Sequence, residues 1–360
     1  MRRKYIWNSL GIIFLLVSLV FLQNLFMPKY ASGIVEGGMI ETYYDEPKNH
    51  DVIFIGDCEV YGNFSPVTLW KEYGIKSFIR GSAQQLIWHS YYLMEETLKY
   101  EKPDVIVFNV LSLKYNEPQR EAYNRMTLDG MKLSMTKIRA IQASMLEEES
   151  LVEYIFPFLR YHTRWNELTQ DDFNYLIDKP DLFHNGYYMR VDVNPVTSIP
   201  RKRPLPDYSF GENAMSYLDG MVALAKENDV ELVLIKAPTI YPVWYDEWDD
   251  FITEYADKQG LMYVNLLERA DEIGIDFQTD TYDGGLHMNL AGAEKLSRYF
   301  GNILVEAFEL EDHRNNLEVK GVWSEKVAFY QEMIDSQVAE IERYGHLVSW
   351  GNPREEDEEE

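Results

Sequence analysis

The sequence predicts an α/β fold: a three-layer α/β/α arrangement around a central parallel sheet, with a transmembrane helix ahead of it and a largely helical insertion within it. Three observations carry this. Short, nearly continuous apolar strands alternate with amphipathic helices early and late in the chain, as in a parallel sheet covered on both faces. The alternation breaks between Leu111 and about Asp207. Ahead of it all, Arg2, Arg3 and Lys4 precede an uncharged run, rich in Leu, Ile, Val and Phe, from Ile6 to Met27.

That run is long enough for a hydrocarbon core of about 30 Å, and its basic flank favours the cytoplasmic side. No small-residue cleavage site is obvious in Pro28-Lys29-Tyr30-Ala31-Ser32-Gly33, so an uncleaved anchor is expected rather than a signal peptide. The expected organisation is a basic stub (1–6), the anchor (7–27), a turn-rich linker (28–49) and an α/β domain (50–312) with an insertion (112–207). An amphipathic helix region (313–345) and an acidic, disordered tail (346–360) follow. Everything past the anchor is then extracytoplasmic.

Within the domain, Val52 to Ile55 form a buried strand that stops at Gly56. Ser65-Pro66 starts a helix that Gly74 ends. Lys76–Arg80 is a short strand, Ala83–Tyr100 a helix and Asp104–Val110 a strand. The insertion carries helical pieces at Arg125–Ala143, Leu151–Arg160 and Leu168–Ile177, then a proline-rich loop. Alternation resumes with helix Asn213–Asn228, strand Glu231–Lys236, helix Tyr245–Gln259, strand Met262–Asn265 and helix Leu290–Glu309. A last amphipathic helix, 323–344, packs on the body or meets a partner.

The 360 residues include 34 Lys+Arg against 60 Asp+Glu, a net charge of −26. So acidic a surface argues against nucleic-acid binding, which needs basic contacts to phosphate. One cysteine allows no internal disulfide. No Walker or dinucleotide glycine pattern and no His or Cys pair with metal spacing is present, so neither cofactor nor metal is expected.

That cysteine, Cys58, sits in the turn after the first strand, where open α/β sheets place their ligands. Of the seven histidines, only His287 lies in a glycine-rich loop that opens a helix, with carboxylates just upstream. A nucleophile needs a base within hydrogen-bond reach, and the base needs an orienting acid. Asp283 is the expected orienter and Asp280 the fallback. An adjacent imidazolium favours a thiolate. Donors for a developing oxyanion are sought in the backbone N–H groups of Cys58 and Gly81 and in the side chain of Asn109. Tyr115, Asn116, Arg125, His162, Arg164 and Trp165 are candidates for a sugar-binding groove, with packing inside the insertion as the other explanation.

This ordered set resembles the SGNH (GDSL-type) hydrolase superfamily over roughly residues 50 to 310. Gly56-Asp57-Cys58 matches its Gly-Asp-Ser block, Gly81 its second-block glycine, Asn109 loosely its third-block asparagine, and Asp283 with His287 its closing Asp and His. The N-terminal anchor, Phe64-Ser65-Pro66 and His287-Met288-Asn289-Leu290-Ala291-Gly292 are similar to the membrane-anchored acyl-transfer branch. That branch includes the D-alanyl-transfer protein of teichoic acid modification and the O-acetyltransferases of exported polysaccharides. Three departures stand out: Cys for Ser, one extra residue between Asp and His, and no Gly-x-Asn-Asp in the third block. The resemblance implies a flavodoxin-like three-layer domain that is an acyltransferase or esterase acting on a cell-envelope glycan or glycopolymer. Cys58 would be nucleophile, His287 base and Asp283 orienter, through a thioester, with a multi-pass membrane partner as a possible acyl donor. The alternatives are a non-catalytic glycan-binding or assembly protein on the same fold and a general esterase or lipase.

Overall fold

The computed structural model describes residues 2–27, 36–177 and 184–348. Its centre is a sheet of five parallel strands: β1 (Val52–Gly56), β2 (Ser77–Gly81), β3 (Val105–Asn109), β4 (Glu231–Lys236) and β5 (Met262–Asn265). Their order is β2-β1-β3-β4-β5. The chain therefore moves one way from β1 to β2 and then crosses to the other side for β3. Such a reversal opens a crevice at the carboxyl ends of the strands.

The unbroken apolar strands have a direct cause: both faces of the sheet are covered. Phe54, Val107 and Ile235 point into one cluster with Phe64, Phe300 and Trp323. Ile55, Phe108 and Leu234 point into the other with Trp88, Leu218 and Trp248. Local signals set the helix ends. Ser65 accepts from Thr68 N–H at 3.2 Å, Pro66 occupies the first turn, and Gly74 closes helix Pro66–Tyr73 at φ 73°, a conformation that only glycine adopts freely.

Several expected elements are corrected. The linker is helical from Glu36 to Thr42, and Met39, Ile40 and Tyr43 are buried; apolar side chains with a face to pack on override a turn-rich composition. The single helix expected at Arg125–Ala143 is two, Glu121–Leu128 and Met135–Ser144, with Ser134 capping the second through Lys137 N–H at 3.1 Å. The helix expected at Leu151–Arg160 is broken at Pro157 into Leu151–Ile155 and Phe158–Tyr161. Helix Ile87–Tyr100 starts later than expected, after Gln84 at φ 49°. The last helix runs Leu317–Tyr344 and packs on the body, with Trp323 stacked on Trp70 at 5.0 Å. The end of the expected insertion also belongs to the body. Asn185 accepts from Ile79 N–H at 2.8 Å and donates to Ser77 O at 2.9 Å, covering the outer edge of β2.

The N-terminal helix is Arg2–Phe26, and its span Tyr5–Phe26 has mean hydropathy 2.2 with 6% of the window buried. It is long and apolar enough to cross a membrane. Linker residues 28–35 and, from 349 on, the expected acidic tail lie outside the described residues.

Candidate active site

Asp57 follows β1 and caps the short helix Cys58–Tyr61, its Oδ1 accepting from Glu59 N–H at 3.1 Å. This puts Cys58 in the first helical position, half-buried, at the crevice between the ends of β1 and β3. The turn folds so tightly onto the strand that a Cβ on Gly56 would collide with Val60 and approach Asn109 Cβ at 3.1 Å. Gly81 ends β2 opposite Gly56 and packs against Tyr61 and the Asp57 carbonyl.

The His287 loop is shaped by Gly284 and Gly285, at φ 74° and 100°. Thr281 ties it internally, accepting from Gly285 N–H and donating to His287 O, both at 2.8 Å. Asn63, just past the cysteine helix, accepts from Met288 N–H at 2.8 Å. That one bond joins two loops distant in sequence.

Asp283 Oδ2 accepts from His287 Nδ1 at 2.5 Å, and its Oδ1 accepts from His287 N–H at 2.8 Å. With the proton held on Nδ1, Nε2 is the free nitrogen. Nε2 is buried with no hydrogen-bond partner, and Cys58 is near enough for its charge to act on the imidazole. Burial opposes protonation of His287. The charge on Cys58 and the hydrogen bond to Asp283 outweigh it, and the imidazole pKa rises well above 6.5. Asp280, the other candidate orienter, is spent elsewhere: it accepts from Lys295 at 2.6 Å and from Asp276 N–H at 2.9 Å.

Several residues here escaped the sequence reading. The Tyr282 ring stacks on His287 at 5.6 Å, and Arg190 lies 4.9 Å over the Tyr282 ring, held by Asp192 at 2.8 and 2.6 Å. Behind Cys58, Glu59 and Lys236 form a fully buried ion pair, with 3.0 Å contacts to both carboxylate oxygens. Lys236 also donates to Ala237 O at 2.7 Å and Thr239 Oγ1 at 3.0 Å, and Thr239 bonds Glu59. Lys114 ends the turn after β3; burial lowers its pKa against the opposing charges of Asp57, Glu59 and Cys58.

Asn109 spends its amide on neighbours other than Cys58 and His287. Its Nδ2 donates to Asp57 at 3.1 Å and Glu59 at 2.9 Å, and its Oδ1 accepts from Ala237 N–H at 3.2 Å. Asp57 is pushed up to about 6 by burial and by Glu59, against Lys114 and its own hydrogen bonds. Of the six groove candidates, Tyr115 lies within electrostatic reach of Cys58 and Asp57. Asn116 caps helix Glu212–Asn228 through Asn213 N–H at 2.9 Å. Arg125 pairs with Glu121 at 2.7 Å over the Tyr154 ring. His162 bonds Leu159 O at 2.8 Å, Arg164 donates to Phe26 O at 2.6 Å, and Trp165 is exposed.

No protein-family model matches the chain, and no curated protein matches it.

Proposed function

We propose that this chain is a membrane-anchored, extracytoplasmic acyltransferase or esterase with a three-layer, SGNH-like domain, acting on a cell-envelope glycan or glycopolymer. The observation that supports it most is the grouping of Asp283, His287 and Cys58 at the carboxyl edge of the sheet, with His287 Nδ1 bonded to the carboxylate, its Nε2 unpartnered and Cys58 within electrostatic reach of the ring.

In this reading the Cys58 thiolate adds to an ester or thioester carbonyl and forms the C–S bond. The imidazolium Nε2 protonates the departing oxygen or sulfur as its bond to carbon breaks. His287 then takes the proton of a sugar hydroxyl or of water, which attacks the acyl-Cys58 thioester and releases the thiolate. The Cys58 N–H, at a helix start, and the Gly81 N–H are the proposed donors to the oxyanion. Lys114 adds positive charge beside it. A multi-pass membrane protein is the proposed acyl supplier.

Intact mass spectrometry of the purified chain after incubation with an activated acyl donor tests this. An acyl adduct that maps to Cys58 and is missing in Cys58→Ala is expected. Unchanged acyl transfer by Cys58→Ala would remove Cys58 from the mechanism.

Cysteine in the serine position favours a second reading, a non-catalytic glycan-binding or assembly protein. Alkylation separates the two: fast reaction near neutral pH belongs to the enzyme, an inert thiol to the binder.

A further inference from the structure

The N-terminal helix does not stand clear of the rest of the chain. Its last turns pack against three short elements of the insertion: the helices Phe158–Tyr161 and Gln170–Ile177 and the turn His162–Asn166 between them. Phe26 meets Phe158 edge-on at 5.5 Å, and Arg164 donates to Phe26 O at 2.6 Å. Phe21 and Asn24 share a groove with Phe173, Leu176 and Ile177. Contacts therefore run from Phe26 back to Phe21, a depth of about 7.5 Å along the helix axis at about 1.5 Å per residue.

Around this junction large apolar side chains face outward. Phe156, Leu159 and Phe173 are exposed, Trp165 is 72% exposed and Ile177 88%. Single exposed apolar residues are ordinary, but a cluster continuous with a membrane-length helix is not. Interfacial helices seat their apolar faces about 5–10 Å into the headgroup boundary, the depth at which Phe173 and Ile177 lie against Phe21. A tryptophan beside the end of a span is the usual occupant of that boundary.

We infer that the insertion carries a second membrane attachment, in which Phe156, Leu159, Trp165, Phe173 and Ile177 dip into the lipid leaflet where the N-terminal helix emerges. This rests on the anchor reading proposed above. The nearby cations are engaged, Arg160 with Glu121 at 2.9 Å and Arg164 with Glu167 at 3.4 Å, so apolar area drives the contact rather than anionic lipid. Ser82, just past β2, hydrogen-bonds Thr127 of the insertion. The attachment thus links the bilayer to the carboxyl edge that holds Cys58.

The test uses the full-length chain, Cys58→Ser, in phosphatidylcholine vesicles, with single nitroxide labels at Leu159→Cys, Trp165→Cys or Ile177→Cys. Phe14→Cys reports the helix interior and Leu317→Cys the aqueous phase. The expected result is an oxygen-to-nickel-chelate accessibility ratio at the three patch sites several-fold above that at 317, unchanged when anionic lipid is added. Patch values equal to 317, with 14 in lipid, overturn the inference and leave the anchor standing. An aqueous value at 14 overturns the anchor itself. Patch sites shielded from both reagents assign the surface to a protein partner and also overturn the inference. Without labels, brominated-lipid quenching of tryptophan emission should be clearly weaker in Trp165→Phe than in the natural chain, and equal quenching contradicts insertion.

Discussion

Two charged assemblies share the carboxyl edge of the sheet. Asp283 and His287 keep 26% and 10% of their side chains open to solvent, whereas Glu59 and Lys236 keep none. The buried pair is saturated: Lys236 has Glu59, Ala237 O and Thr239, and Glu59 also has Asn109. The relay is left with one nitrogen unmatched, on a ring that feels the charge of a nearby thiol. Saturation holds a charge in place; an unmatched group beside a nucleophile can move a proton. Glu59 and Lys236 thus brace the turn that carries Cys58.

The largest effect should come from the relay. Asp283→Asn would hand the imidazole the wrong tautomer and lower acyl transfer by about 10³-fold or more, with little change in thermal stability. It would also remove the hydrogen bond and charge that help raise His287. In the proposed reaction an imidazolium protonates the leaving group, so the alkaline limb of the natural pH–rate profile should lie above the ordinary histidine range. In Asp283→Asn it should move towards acid, and a limb that stays put would break the assignment of Asp283.

The saturated pair should answer in stability instead. Lys236→Met strands Glu59 in the interior, a loss of about 3–5 kcal/mol by denaturant titration. Adding Glu59→Gln should recover part of it, because the two sites are coupled. Strictly additive losses would show that the pair does not act as a unit.

Asp57 lies between the two assemblies and offers the smallest test. Its carboxyl is raised from 3.8 to about 6. Its contribution to stability is therefore complete below about pH 3.8 and lost as the pH rises through about 6, roughly 3 kcal/mol at most. Asp57→Asn cannot ionise, so its stability should fall less between pH 4 and 7 than that of the natural chain. Parallel curves would mean that Asp57 does not titrate in this range.

The two assemblies also differ in how far they could be read beforehand. Cys58, His287 and Asp283 stood out because each lies in a short signal: a strand that stops at a glycine, and a glycine-rich loop ahead of a helix. Glu59 and Lys236 carried no such mark, since a charged residue beside a turn or at a strand end ordinarily reads as solvated. Asn109 was located but its partners were not, because hydrogen-bond direction depends on what the neighbouring strand delivers. Tyr282 and Arg190 meet only once the segment after residue 184 returns to the body, a path that no periodicity announces.

Periodicity, capping residues and the length of apolar runs are properties of neighbours along the chain, so they determined the strands, the helix at Pro66–Tyr73 and the membrane-length helix in advance. Which charges are sealed in pairs, which carboxylate serves His287, and which face of the insertion meets the N-terminal helix depend on residues brought together from distant positions. Those were decided only when the sheet order and loop shapes set side chains within a few ångströms of one another.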